Sequence, residues 1–145
     1  MNDRSITRAW VEERLDTLYP THVAALVPLL SELRALFDGD LEAMLILATT
    51  SIATEADGWH GTLFDAKPLN AVHKPTNAQS IANVTGIPRE TVRRKLRWLE
   101  EKGWAKRDAC GNWYPSDTAA RDLKAGSAAT VTYLRTILNA AAKAS

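Results

Sequence analysis

Apolar residues recur at helical spacing through most of the chain. A first helical segment is expected over roughly Ser5 to Leu18, ended by Pro20. Thr21 is placed to cap a second helix, in which Val23, Leu26, Leu30, Leu33 and Phe37 form a stripe at alternating three- and four-residue steps. Pro28 lies off that stripe and, lacking an amide hydrogen, should kink the helix or restart it. A third helix, about Asp40 to Ala56, is apolar on more than one side (Leu41, Met44, Leu45, Leu47, Ala48, Ile52), which predicts burial, and Gly58 suits a left-handed stop. Residues 58–75 follow neither period and contain Gly58, Gly61, Pro68 and Pro75, so a long irregular connection is expected there.

The pattern changes at Thr76. Thr76 and Gln79 fit a capping box for a short helix carrying Ile81, Ala82 and Val84, which stops at Gly86. After a tight turn, Pro88 fits the first helical position of another helix, whose stripe is Val92, Leu96 and Leu99 and whose end is Gly103. Trp104 to Asp108 and Asn112 to Pro115 read as two short strands around a tip at Cys110 and Gly111. Trp104 and Trp113 are expected to pack this hairpin onto the domain. Ser116 or Thr118 can cap a last helix running towards Ala142, with Leu123, Val131, Leu134 and Leu138 as packing positions. No internal repeat is visible. The predicted fold class is mainly α, divided into an N-terminal helical region (1–57) used for packing and dimerisation, the connection (58–75), a helix-turn-helix with a β-hairpin (76–115) and a C-terminal helix (116–145).

Composition narrows the function. The chain has 145 residues, 46% hydrophobic and 24% charged, with a net charge of +1, the profile of one ordinary globular domain. The longest apolar run, Ala43 to Ala48, is too short to span a membrane. The start at Met1-Asn2-Asp3 lacks a basic-then-apolar export signal, so a cytoplasmic location is expected. Cys110 is the single cysteine, which excludes an internal disulfide and a cysteine-rich zinc cage. The near-neutral total is unevenly distributed: residues 1–75 carry six basic and eleven acidic side chains, residues 76–145 twelve and six. Between Thr85 and Arg107 eight basic residues face only Glu90, Glu100 and Glu101, so the positive charge concentrates on one short element.

That element carries the most specific signal. A small Ala82 lets two helices approach, Gly86 makes positive φ cheap in the turn, and Ile87 and Val92 lock the pair. The run Ile81-Ala82-Asn83-Val84-Thr85-Gly86-Ile87-Pro88-Arg89-Glu90-Thr91-Val92-Arg93-Arg94-Lys95-Leu96-Arg97-Trp98-Leu99-Glu100-Glu101-Lys102-Gly103-Trp104 resembles the winged helix-turn-helix of bacterial transcriptional regulators. Within the second helix the pattern is similar to the GntR type, whereas the order of elements along the chain resembles MarR-type regulators, whose terminal helices form a dimer. The resemblance covers Thr76 to Pro115; the first 57 residues match no motif, and the connection before Thr76 departs from the compact families.

Helical geometry gives the outward face of this helix without the resemblance. At about 100° per residue, Val92, Leu96 and Leu99 cluster within one arc, and Glu90, Arg93, Arg94 and Arg97 point away from it, with Arg89 at the helix start. Such a face fits a DNA major groove, where arginine reads guanine O6 and N7. Lys95 falls off it. The resemblance implies contacts for Arg89, Thr91 and Arg93, and Arg94 stands where an acidic or small residue is common. On the hairpin, Lys106, Arg107 and Asn112 are further candidates for the phosphate backbone or minor groove, although the tip itself, Ala109-Cys110-Gly111, carries no cation.

Other constellations are weaker. His22, His60 and His73 have no metal-ligand spacing, although Asp57, His60, Asp65 and His73 share the connection, where a metal or small-effector site is the minor alternative. Cys110 lies near Lys106 and Arg107, a setting that can favour a thiolate redox sensor. There is no Gly-rich phosphate loop, paired-cysteine motif or nucleophile elbow, so neither enzymatic activity nor a cofactor is expected. The sequence therefore points to a homodimeric regulator that binds double-stranded DNA, with a protein-protein interaction module presenting Trp98 or the acidic half as the alternative.

Overall fold

A computed structural model describes residues 5–52, 54–65, 67, 70–74 and 76–145. The fold is mainly α, with two short two-stranded antiparallel sheets among the described residues. Helix α1 (Arg8–Glu12) starts where the Thr7 hydroxyl accepts the Trp10 amide, and α2 (Leu15–Leu36) follows. Contrary to the sequence expectation, Pro20 and Pro28 both lie inside α2, and Thr21 is an interior residue whose hydroxyl donates to the Thr17 carbonyl. The break falls instead at Glu13 and Arg14. An interior proline costs roughly 3 kcal/mol; the compensation here is a partner along the length of α2.

That partner is α8 (Lys124–Lys143), which runs antiparallel to α2. Arg14 Nε donates to the Ala144 carbonyl at 2.8 Å, and His22 Nδ1 lies 2.8 Å from the Tyr133 hydroxyl. Near the other end, a Cβ on Gly126 would sit 3.0 Å from Leu33 Cδ2 and 3.1 Å from Leu36 Cδ1, so the two helices approach closely there and an added methyl would have to displace these leucine tips. The packing positions expected on the last helix are largely outside this contact. Val131, Leu134 and Leu138 are exposed and Leu123 is half-buried. Val23 and Leu30 of the α2 stripe are also exposed; only its last member, Phe37, is fully packed.

Asp38 and Gly39, both with positive φ, reverse the chain into α3 (Leu41–Ile52). Its buried face holds Ala43, Ile46, Leu47, Thr49 and Thr50, whereas Leu45 and Ile52 are exposed. The helix ends earlier than the expected Ala56, because Thr54–Asp57 form strand β1, paired with Asn70–His73 (β2) in the register Thr54 to His73 through Asp57 to Asn70. Between them lies α4 (Trp59–Phe64), started by Gly58 in the left-handed region. The stretch expected to be irregular therefore contains a helix and a strand; four-residue strands and a six-residue helix are too short to give a readable period. Pro68 and Pro75 lie outside the described residues.

Helix α5 (Ala78–Thr85) is capped by Asn77, whose side chain accepts the Ser80 amide, and not by Thr76. Thr76 is buried instead, and its carbonyl accepts the Trp113 amide at 2.7 Å. Gly86 ends α5 with φ +72°, and α6 (Arg89–Glu101) begins after Pro88, which takes the cap position one residue before the one expected. Strands β3 (Ala105–Arg107) and β4 (Trp113–Pro115) pair with Lys106 opposite Tyr114. Ser116 then caps α7 (Asp117–Asp122), a separate short helix that hands over to α8 at Leu123 where a single last helix was expected.

The core gathers where α3, α5 and α6 meet. Ile46, Ile81, Val92, Leu96 and Leu99 are fully buried there. Phe37 and Trp104 meet edge to face at 5.3 Å, Trp104 and Trp98 at 5.9 Å, and the Trp104 indole donates to Asp122 at 3.0 Å. Through Trp104 and Trp113, both buried, the β3–β4 hairpin is fixed to the helices as expected.

Candidate nucleic-acid interface

Helix α6 is divided lengthwise into two chemically distinct sides. Val92, Leu96 and Leu99 are buried on one, and Arg89, Glu90, Arg93, Arg94 and Arg97 are exposed on the other, while Thr91 is half-buried. The core holds the helix by its apolar edge, which leaves the arginines in solvent.

The structure then sorts the cations in a way their spacing does not reveal. Lys95, outside the outward face, reaches across to α3, where its ammonium pairs with Asp40 and lies 3.4 Å from Glu42. Lys102 pairs with Asp38 at 3.2 Å and lies over the Trp98 and Trp104 rings. The two lysines are thus neutralised by acids of the α2–α3 corner. Arg89, Arg94 and Arg97 have no ion pair among the described residues, and Arg93 has only Glu90, at 3.7 Å and highly exposed. Exposed pairs of this kind contribute little. The concentration of positive charge seen in the sequence therefore resolves into structural lysines behind the helix and free guanidinium groups in front.

On the hairpin, Lys106 and Arg107 are exposed; the Arg107 guanidinium lies 5.5 Å from the Trp113 ring. Asn112 is engaged internally. Its side-chain amide donates to Asp108 at 3.3 Å, and Asp108 Oδ1 accepts the amides of both Cys110 and Asn112 at 2.9 Å. The Asn112 amide leads in holding the Asp108 carboxyl below its ordinary range. The tip, with Gly111 at φ +84°, is thus a self-satisfied turn, and Cys110 is exposed on it. Trp98, flagged as a possible partner contact, is half-buried against Trp104.

Asp40 is the residue that sequence reading missed. It accepts the Ala43 amide at 2.9 Å, capping α3, and its second oxygen takes the Lys95 ammonium. Burial alone would raise its pKa, but the Lys95 hydrogen bond and the Ala43 amide outweigh burial and hold it below the ordinary aspartate range. An aspartate three residues before Ala43 was a visible capping signal; its partner 55 residues further on was not. A carboxyl with a depressed folded-state pKa stabilises the fold above the ordinary carboxylate range and loses that contribution as pH falls through its folded value. Asp40→Ala should cost about 0.5–2 kcal/mol from the cap alone. Asp40→Asn should cost less near neutrality, and in urea titrations its difference from wild type should shrink below about pH 4. A difference that persists unchanged at low pH contradicts this pairing.

In the connection, His60 Nδ1 lies 3.6 Å from Asp65. The side chains of Asp57 and His73 are outside the described residues. No group of three metal-ligating side chains occurs among the described residues, and no helix there is long and apolar enough to cross a membrane. No protein-family model, curated protein or solved structure matches this chain.

Proposed function

We propose that this protein is a winged helix-turn-helix transcriptional regulator that binds double-stranded DNA sequence-specifically, with α5 and α6 as the helix-turn-helix and β3–β4 as the wing. The observation that carries the reading is the division of α6. Its rear lysines are spent on Asp38, Asp40 and Glu42, while Arg89, Arg94 and Arg97 stand exposed on the face opposite the core with no ion pair among the described residues. A helix anchored in this way, with uncommitted guanidinium groups in front, suits base-edge readout in a major groove. Lys106 and Arg107 on the wing add phosphate contacts that set register. Asn112, bound to Asp108, serves the wing turn.

The reading includes a second copy of the chain. Leu15, Tyr19, Val23, Val27 and Leu30 of α2, and Val131, Leu134 and Leu138 of α8, are all exposed. Helical geometry at about 100° per residue puts both sets on the same side of the antiparallel pair. On the opposite side lies a groove whose lining includes Ala24, Ala25, Leu29, Ala125, Ala129 and Tyr133. A continuous apolar face of eight large side chains on a two-helix arm is self-complementary under a two-fold axis, giving a four-helix contact.

Selection of bound duplexes from random DNA tests the reading directly. A two-fold motif is expected, with half-site centres about 34 Å, or one helical turn, apart. Binding to the selected duplex should weaken with salt, log K falling by about 0.9 per neutralised phosphate for each unit of log salt. A flat salt response or no enriched motif overturns the assignment.

A further inference from the structure

We infer that the cavity between α3, α4, α7, α8 and the wing is a binding site for a small, largely apolar molecule of one or two rings carrying one hydrogen-bond-accepting oxygen. The cavity has a volume of about 420 Å³, within the range of small-molecule sites and well above the roughly 150 Å³ that holds a benzene. Its walls include Met44 and Leu47 of α3, Trp59 and Leu63 of α4, Ala120 of α7, and Leu123.

The oxygen function follows from Thr62. It lines the cavity, is only 4% exposed, and its hydroxyl is a buried side-chain group with no hydrogen-bond partner among the described residues. Three other hydroxyls in the same wall are spent on backbone carbonyls: Ser51 donates to that of Leu47, Ser116 to that of Gly103 and Thr130 to that of Gly126. A buried unsatisfied donor is costly, and a ligand oxygen placed against it recovers that cost. The rest of the surface rewards apolar rings, with Trp59 supplying an aromatic wall.

The position of the cavity gives the ligand a route to control. Lys106 and Tyr114 of the wing and Leu33 and Thr130 of the α2–α8 pair all line it. An occupant therefore touches both the wing that carries candidate phosphate contacts and the helices proposed to join two copies. This effector role rests on the DNA-binding reading; the binding site does not.

The experiment titrates the full chain with 2-naphthol and, in parallel, with naphthalene, followed by NMR of the Met44 methyl and the Trp59 indole. 2-Naphthol should saturate with a dissociation constant of about 1 mM or tighter, an affinity ordinary for so small a ligand. It should bind several-fold more tightly than naphthalene. Thr62→Val, which replaces the hydroxyl by a methyl, should bind the two compounds equally and melt at a higher temperature. Ala120→Phe should block both compounds. Absence of saturable shifts in folded wild type, or an unchanged preference for naphthol in Thr62→Val, overturns the site. Fluorescence anisotropy with the selected duplex reads the effector role separately: saturating 2-naphthol should change DNA affinity by about fivefold or more. An unchanged DNA affinity overturns the regulatory role alone, and failure of wild type to bind any duplex overturns the DNA reading while leaving the ligand site standing.

Discussion

Replacing Arg93 and Arg94 together by alanine should reduce affinity for the selected duplex by about 30-fold to 10⁴-fold, since each bidentate base contact is worth roughly 1–3 kcal/mol. Nuclease footprints should vanish at protein concentrations that fully protect the site with wild type. Stability should hardly move. Both side chains are exposed, Arg94 makes no ion pair among the described residues, and the Arg93–Glu90 contact at 3.7 Å is open to solvent. Substitutions at such positions usually stay within about 0.5 kcal/mol of neutral. Thermal unfolding measured beside the footprint separates lost contact from lost fold. Protection that survives the double substitution in folded protein would show that α6 does not present this face to DNA.

Val27→Glu combined with Leu134→Glu should convert a dimer into a monomer, read by sedimentation equilibrium. Both residues are more than or close to half exposed in the single chain, at 59% and 50%, so the charges meet water in the monomer and are buried only between copies. Helix content should persist, because neither side chain belongs to the core around Ile46, Ile81 and Leu96. Affinity for a two-half-site duplex should fall by about 10²-fold or more, as the second half-site is no longer engaged from the same complex. Binding to an isolated half-site should be nearly unchanged. A wild-type chain that sediments as a monomer at concentrations saturating the duplex would remove the self-association and leave DNA binding to be judged on its own.

The two predictions differ in how visible their basis was in the sequence. The α6 face was legible: Val92, Leu96 and Leu99 form one short amphipathic stripe in a continuous helix, and a period of 3.6 residues fixes what lies opposite. The face proposed for self-association was legible only in part. Val23 and Leu30 belong to a stripe that fits packing within the chain as well as dimerisation, and Val131, Leu134 and Leu138 read as packing positions, yet all five are exposed. A stripe states that a surface is apolar; it does not state whether the same chain covers it. The prolines misled for a related reason. Pro20 and Pro28 are unfavourable to a helix by local propensity, and α2 passes through both because α8 packs beside it.

The connection shows a further limit. Strands β1 and β2 stabilise each other across α4 by pairing Thr54–Asp57 with Asn70–His73, a non-local contact that no window of a few residues reports. The cavity and its unsatisfied Thr62 depend on how α4 lies beside α3 and α7, so neither could be read from spacing. Cys110 and the histidines stood out by residue type, yet the buried hydroxyl without a partner among the described residues belongs to an ordinary threonine.

By itself the sequence determined the mainly helical class, the α5–turn–α6–hairpin order, the stripe that seats α6 and the guanidinium face opposite it, because these follow from local periodicity and turn chemistry. Only the tertiary structure decided which charges are spent. The excess of acids before residue 75 and of bases after it reads in sequence as two separate surfaces. In the fold, Asp38, Asp40 and Glu42 lie against Lys95 and Lys102 and hold the rear of α6, so part of that asymmetry is internal. Coulomb attraction acts over a few ångströms and takes no account of sequence distance, and that is why the assignment had to wait for the three-dimensional arrangement.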